Sequence, residues 1–186
     1  MIVAGNKKYG LAKSLHKLYP DALFCSRSEG GYDLTKLEHH AKFAERAAYH
    51  DEIILCSALW KFNQTVLLDA VYKKCLEVKA FPHIICVGST TDRVKNGSPW
   101  LYNAEKKALR DYCNTLAIGG VWGDSKPKVS YISVGTLSNN QDKHPGRKTM
   151  NVDQAAEYVK WLIDQPTWIN INEISIDPMQ SETWYA

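Results

Sequence analysis

The chain has 186 residues, of which 45% are hydrophobic and 23% are charged, and its formal net charge is +3. This length and balance are typical of one globular domain with a sizeable core, and the small, scattered excess of basic residues argues against a nucleic-acid surface. No apolar run approaches the roughly 20 residues of a membrane-spanning helix, and the N-terminus lacks the pattern of a secretory signal.

Strand-like and helix-like segments alternate along the chain. Apolar runs predict the strands, and apolar residues at helical spacing predict the helices. The predicted strands are residues 2–4, 22–25, 52–57, 83–89, 128–134 and 171–176, and the predicted helices are residues 10–19, 34–49, 63–78, 104–117 and 153–163. The polar stretch 138–148 predicts a loop.

The fourth predicted strand, HIICVGS, is apolar throughout its centre rather than alternating. Such strands are typical of a parallel sheet that helices cover on both faces. The alternation therefore predicts a single α/β domain of the Rossmann type, with a doubly wound parallel sheet in a three-layer α/β/α sandwich. Ligands in this architecture bind beyond the carboxyl ends of the strands, so the residues directly after each strand are the site candidates.

The first candidate segment is GNKKYGLA, residues 5–12. Glycine turns between a strand and a helix let the backbone approach a diphosphate, which the helix N-terminus stabilises. The segment resembles the T-G-x-x-x-G-x-G pattern of the short-chain dehydrogenases/reductases, with either Gly5 or Asn6 at the first glycine position; an ordinary turn is the alternative. The predicted cofactor contacts here are Gly5, Asn6, Lys7, Lys8, Gly10 and Leu11.

Ser26 and Arg27 follow the second strand, where this fold places the adenosine ribose. An arginine there suits a 2′-phosphate, because its planar group forms paired hydrogen bonds with phosphate oxygens. The pair therefore favours NADP(H) over NAD(H) as the cofactor. A solvated surface arginine is the alternative.

Two further segments resemble the same family more weakly. Asp33 and Leu34 in YDLT resemble its adenine-contacting D-[LV]-[TS] segment, although Asp33 could equally cap a helix. Ser57 and Ala58 stand after the third strand, where the family has N-N-A-G and only the alanine matches. These four residues are also predicted to contact the cofactor.

The strongest match lies downstream, where Tyr102 and Lys106 fit Y-x-x-x-K and share one face of a helix. Ser89 stands thirteen residues before Tyr102, at the end of the fourth strand, and Asn63 opens the preceding helix. The resemblance to short-chain dehydrogenases/reductases implies that these four residues are catalytic.

In this family, the segment after the fifth strand also contacts the cofactor. The resemblance therefore implies cofactor contacts for Gly135, Thr136 and Leu137. The resemblance covers nearly the whole chain, but the stretch 136–151 is brief where relatives close over the substrate. This implies an open pocket, or one completed by a neighbouring subunit.

These residue types suit carbonyl chemistry. Tyrosine has an ordinary pKa near 10, and a nearby lysine ammonium and an oxidised nicotinamide would lower this value. The resemblance implies that Lys106 also holds the nicotinamide ribose, that Ser89 orients the substrate oxygen, and that Asn63 orders a proton-carrying water. We therefore expect an NADP(H)-dependent oxidoreductase that reduces a small carbonyl compound or oxidises the corresponding alcohol.

Two other functions fit the same fold. One is an NADP(H) sensor without turnover; the other, a nucleotide-sugar epimerase, needs a larger substrate domain. By analogy with relatives we expect a homodimer or homotetramer. The aromatic residues within 182–186 could reach a partner subunit, cover the cofactor or belong to a disordered tail.

The five cysteines are widely spaced and form no CxxC pair. Most stand in apolar runs, where cysteine acts as a small hydrophobic residue. His39 and His40 are adjacent but have no third ligand near them. We therefore expect reduced thiols, a cytoplasmic protein and no metal site.

Overall fold

Strands and helices alternate through residues 1–93, 99–121 and 126–179, which the computed structural model describes. The strands are β1 (Ile2–Ala4), β2 (Leu23–Cys25), β3 (Glu52–Leu55), β4 (His83–Val87), β5 (Lys128–Val134) and β6 (Glu173–Ile176). The helices are α1 (Gly10–Leu18), α2 (Leu37–Ala47), α3 (Asn63–Glu77), α4 (Leu101–Val121) and α5 (Val152–Ile163), and 3-10 helices cover Thr90–Arg93 and Ser138–Lys143. The aromatic end, 182–186, lies outside the described residues.

These strands form one parallel sheet in the order β2-β1-β3-β4-β5-β6. On one side of β1, Ile2 lies opposite Leu23, and on the other side it lies opposite Ile53. The chain therefore builds the sheet outward in both directions, and the strand order reverses between β1 and β3. The predicted doubly wound parallel sheet is confirmed.

Helices cover both faces of the sheet, so the strands are buried on both sides. Successive residues of a strand point to opposite faces. Ile53 accordingly packs with residues of α2, α3 and α4, whereas Ile54 packs with residues of α1 and α5. The three predicted layers are confirmed, and they explain why the strands are apolar throughout.

Several element boundaries near the site differ from the predicted ones. β3 ends at Leu55 and β4 at Val87, each two residues earlier than predicted, so Ser57 and Ser89 stand after their strands. α2 begins at Leu37 rather than at residue 34, because Asp33 Oδ1 accepts the hydroxyl of Thr35 at 2.6 Å and closes a separate turn. α4 begins at Leu101 rather than at residue 104, which places Tyr102 in its first turn. The predicted loop 138–148 contains the second 3-10 helix.

Candidate active site

A cleft of about 1240 Å³ opens at the carboxyl ends of β1, β3, β4 and β5. It adjoins the point where strand order reverses, as expected for a ligand site in this architecture. The predicted site residues that line it are Gly5, Asn6, Gly10, Leu11, Ser57, Ala58, Ser89, Tyr102, Lys106, Gly135, Thr136 and Leu137. Those outside its lining are Lys7, Lys8, Ser26, Arg27, Asp33, Leu34 and Asn63.

The reacting end of the cleft lies at the start of α4. Tyr102 and Lys106 are one helical turn apart, and Lys106 Nζ lies 5.3 Å from the centroid of the Tyr102 ring. The hydroxyl of Ser89, which follows β4, lies beside the Tyr102 phenol as a polar neighbour that lowers its pKa. The fold thus brings together three of the four residues predicted to be catalytic, and we call these three the reacting cluster.

A buried network beneath β4 fixes the position of Ser89. The backbone N–H of Asp92 donates to the Ser89 carbonyl at 3.0 Å. Asp92 Oδ2 in turn accepts at 2.8 Å from the phenol of Tyr131 on β5, which approaches the backbone of Gly88. Gly88 allows this approach, because a Cβ at that position would stand 1.8 Å from the Tyr131 oxygen. The sequence reasoning missed Tyr131 and Asp92, since nothing local distinguishes a buried tyrosine that packs from one that positions a backbone.

Gln64, rather than Asn63, contacts Lys106. The Gln64 side chain is 3% exposed; its Oε1 accepts from Lys106 Nζ at 2.5 Å, while its Nε2 donates to the carbonyls of Leu55 and Val87. Asn63 Nδ2 instead donates to the carbonyl of Trp60 at 2.7 Å. The fold therefore does not bring Asn63 to the reacting cluster, because the first residue of α3 turns outward and the second turns inward.

Burial changes the proton affinity of both ionisable members of the cluster. Lys106 is 2% exposed, and loss of hydration lowers its pKa to about 8. Burial also raises the pKa of the Tyr102 phenol, although the polar contact with Ser89 opposes this change. The lowered tyrosine pKa expected from the sequence depends partly on the charge of an oxidised nicotinamide and stays a prediction. In the protein alone, the desolvation of Tyr102 outweighs the effect of its polar contact and raises its pKa.

Gly5 occupies the closest approach between β1, β3 and α1. A Cβ at Gly5 would stand 2.8 Å from Cys56 Sγ and 2.9 Å from the Cβ of Ala12. Of the two alignments left open by the sequence, the structure favours Gly5 as the first glycine of the turn, since only a residue without a side chain fits there.

The turn that follows Gly5 is ordered by its own polar groups. Asn6 Oδ1 accepts the backbone N–H of Lys8 at 2.9 Å, and the Asn6 carbonyl accepts the N–H of Tyr9 at 3.0 Å. Gly10 begins α1 with a φ of +48°, and a Cβ there would stand 3.3 Å from Asn139 Nδ2. The turn therefore faces the 3-10 helix Ser138–Lys143 across the cleft.

The segment after β2, residues 26–35, lies beyond the cleft and is held by local bonds; we call it the β2 turn. The Ser26 hydroxyl donates to the Glu29 carboxylate, and Arg27 is exposed. Asp33 accepts from Thr35 rather than capping α2, whose first flanking residue is Lys36.

Leu34 is buried in the core rather than exposed to a ligand. The ring of His40 contacts its carbonyl at 2.7 Å, and His39 Nδ1 accepts the backbone N–H of Asp33 at 3.0 Å. The two histidines thus tie the β2 turn to α2. Within the described ranges, no three His, Cys, Asp or Glu side chains lie together as a metal site would require.

Basic residues after β5 form part of the cleft wall that the sequence reasoning missed. Lys143, His144 and Arg147 line the cleft. No aspartate or glutamate does so among the residues that the structure describes. The sequence does carry a signal for this wall, because basic residues follow the fifth predicted strand, whose carboxyl end faces the predicted ligand site.

Aromatic and apolar side chains form the wall beside Tyr102. Trp60, Trp100 and Leu101 line this part of the cleft, and the rings of Trp60 and Tyr102 lie 4.9 Å apart at 43°. The arrangement can hold a ligand with an apolar portion near Tyr102 and an anionic portion near the glycine turn. In the part of the chain described by the structure, no helix is both long and apolar enough to cross a membrane.

Comparison with known proteins identifies the fold. No protein-family model matches the sequence, and a search of curated proteins gives no significant match. A short-chain dehydrogenase from Burkholderia cenocepacia in complex with NADP matches over 94% of this chain and 86% of that chain, with a TM-score of 0.73 and 16% identity. A serine dehydrogenase in its closed form, complexed with NADP+, matches over 95% and 94%, with a TM-score of 0.73 and 14% identity.

A short-chain dehydrogenase/reductase from Vibrio parahaemolyticus matches over 95% of this chain and 99% of that chain, with a TM-score of 0.71 and 13% identity. At such low identities the likeness is one of fold. The chain therefore has the three-layer α/β fold of the short-chain dehydrogenases/reductases, as the sequence predicted.

Proposed function

We propose that this protein is an NADP(H)-dependent oxidoreductase of the short-chain dehydrogenase/reductase type, which reduces a small carbonyl compound or oxidises the corresponding alcohol. The observation that carries the proposal is the convergence of Ser89, Tyr102 and Lys106 beside a glycine turn, at the strand-reversal point. A cofactor-binding fold alone would not require a proton donor there.

The residues of the cleft fit a dinucleotide phosphate. Its diphosphate would lie on the turn Gly5–Leu11, where the α1 N-terminus favours an anion, opposite Lys143 and Arg147. The absence of aspartate and glutamate from the described lining suits such a polyanion. The solved structures with this fold that contain NADP support the choice of cofactor. We propose that Arg27 and Ser26 bind the 2′-phosphate.

The proposed roles at the reacting end follow from position and charge. When bound, the nicotinamide supplies the hydride. Tyr102 donates its proton to the carbonyl oxygen, and its raised pKa keeps the phenol protonated at neutral pH. Ser89 orients the same oxygen, while the Lys106 ammonium stabilises the phenolate that proton donation leaves behind. Gln64 holds Lys106 in place.

We propose a cytoplasmic homodimer or homotetramer for the assembled protein. Val66 on α3 and Ile118 on α4 are exposed apolar side chains that a partner could cover. The five free cysteines fit a reducing compartment. Sedimentation analysis tests the assembly, and a monomer at micromolar concentration would contradict it.

The central experiment is binding followed by turnover. NADPH is expected to raise the melting temperature more than NADH does, and NADPH consumption is then followed with a panel of ketones and aldehydes. If neither nucleotide stabilises the protein, the proposal is wrong. If NADPH binds but no carbonyl compound is consumed, the protein is the NADP(H) sensor considered from the sequence.

A further inference from the structure

Glu105, the residue before Lys106 on α4, has a buried carboxylate that takes no part in the proton transfer proposed above. Glu105 lies on α4 and is 4% exposed. Its Oε1 accepts the backbone N–H of Lys61 at 2.7 Å, whereas its Oε2 is buried without a hydrogen-bond partner. Burying a carboxylate is costly unless its charge or its hydrogen bonds are used.

The hydrogen bond to Lys61 fixes a strained turn. Lys61 and Phe62 have φ values of 58° and 59°, in the left-handed region that residues with a side chain rarely adopt. Strained residues persist where surrounding contacts hold them, often at functional sites. The turn directly follows Trp60, whose ring lies 4.9 Å from that of Tyr102. Glu105 thus anchors the backbone that presents Trp60 to the reacting tyrosine.

The charge of Glu105 acts on the buried Lys106. Burial favours neutral Lys106, and Glu105 makes the largest contribution in the opposite direction. Asp92 on the first 3-10 helix also favours the ammonium. The thiols of Cys86 on β4 and Cys113 on α4 lie near the same nitrogen, and burial raises the pKa of the Cys113 thiol well above its ordinary value. Gln64 from α3 and Tyr102 from α4 face the same nitrogen as neutral contacts.

We infer that Glu105 is a positioning residue of the reacting cluster, which holds Trp60 against Tyr102 through the Lys61 N–H and keeps Lys106 charged through its own negative charge. The inference rests on the proposed function only for its effect on turnover. The two roles are separable, because a glutamine keeps the acceptor oxygen and removes the charge, whereas a leucine removes both.

The charge role is tested without substrate. Lysines labelled with ¹³C at Cε are titrated by NMR, and the Lys106 signal is identified by its loss in Lys106→Arg. In Glu105→Gln the Lys106 midpoint should fall by about 1 pH unit. Asp111→Asn removes a carboxylate from the exposed face of the same helix and should leave the midpoint unchanged. An unchanged midpoint in Glu105→Gln would overturn the charge role.

The positioning role is tested by the fluorescence of Trp60, obtained as the difference from Trp60→Phe in each background. Glu105→Gln should keep the wild-type Trp60 emission, and Glu105→Leu should shift it. If Glu105→Leu does not fold, Glu105→Ala takes its place. Identical Trp60 emission in the wild type and the apolar variant would rule out the anchoring of the turn.

Turnover then links the inference to the proposed chemistry. The alkaline fall in kcat should move to lower pH in Glu105→Gln by the same interval as the Lys106 midpoint, with Asp111→Asn unaffected. Movement of the midpoint without movement of kcat would contradict the link to the reaction. If the wild type reduces no carbonyl compound, the proposed function fails, while the two substrate-free measurements still decide the role of Glu105.

Discussion

The reacting cluster and the β2 turn are built in opposite ways. Ser89, Tyr102 and Lys106 are held by α3, α4, β4 and β5, through bonds between residues far apart in sequence, such as Lys106 to Gln64. Apart from the buried Tyr32 and Leu34, the β2 turn is exposed or half-buried, and most of its bonds join residues within a few positions of each other, such as Ser26 to Glu29. A large part of the fold thus fixes the reacting groups, whereas the β2 turn is held mainly by local bonds.

The two regions also differ in electrostatics. At the reacting cluster, burial and the Glu105 charge determine the state of Lys106. At the β2 turn, Arg27 lies near the carboxylate of Asp33 in a solvated setting, where charges interact weakly. We therefore expect substitutions in the cluster to have large effects on turnover, and substitutions in the turn to have modest effects on nucleotide choice.

The largest expected effect is that of Tyr102→Phe. Loss of the proton donor should reduce kcat/KM by about 10²- to 10⁴-fold, while the affinity for NADPH remains unchanged. Tyr112→Phe is the matched control, because it removes a phenol of the same helix that donates to Asp69 away from the cleft. Full activity in Tyr102→Phe would contradict the assignment of Tyr102 as the proton donor.

Gln64→Leu should have the next largest effect. It leaves Lys106 and the carbonyls of Leu55 and Val87 without their buried partner, which should cost about 1–3 kcal/mol of unfolding free energy. Asn63→Leu, at the neighbouring position, should cost less, because its bond to Trp60 is exposed. Urea denaturation of both variants measures the difference, and equal losses would contradict the inward role of Gln64.

The pH dependence of reduction follows from the lowered Lys106 pKa. Since the ammonium is the active form, kcat should be constant below about pH 8 and fall by about tenfold per pH unit above it. The Lys106→Arg variant keeps its positive charge in this pH range, so its kcat should not fall above pH 8. Its kcat should be lower than that of the wild type at all pH values. If kcat still falls at alkaline pH in that variant, a group other than Lys106 causes the fall.

The smallest expected effect lies in the β2 turn. Arg27→Ala should weaken NADPH binding by about tenfold and change NADH binding little. Glu29→Gln removes a negative charge beside Ser26 and should strengthen NADPH binding instead. Isothermal titration with both nucleotides measures the ratio, and unchanged discrimination in Arg27→Ala would exclude it from 2′-phosphate recognition.

Much of the architecture follows from the sequence by itself. Apolar runs and helical periodicity predict all six strands and five helices found in the described residues. The strands are recognisable because a strand that is buried on both faces of a parallel sheet must be apolar throughout. The four-residue spacing places Tyr102 and Lys106 on one face of α4. A glycine after β1 marks the start of the predicted turn, where the structure leaves no room for a side chain.

Only the tertiary structure decided which neighbours complete the site. Helical spacing places Gln64 on the face of the buried Leu68, Val71 and Cys75, whereas the family resemblance implies Asn63. Only the packed structure shows that the Gln64 amide reaches Lys106. The contacts of Asp92 with Tyr131, and of Glu105 with Lys61, join residues roughly forty positions apart. Such pairs leave no local pattern, because they arise when separate strands and helices meet at one edge of the sheet.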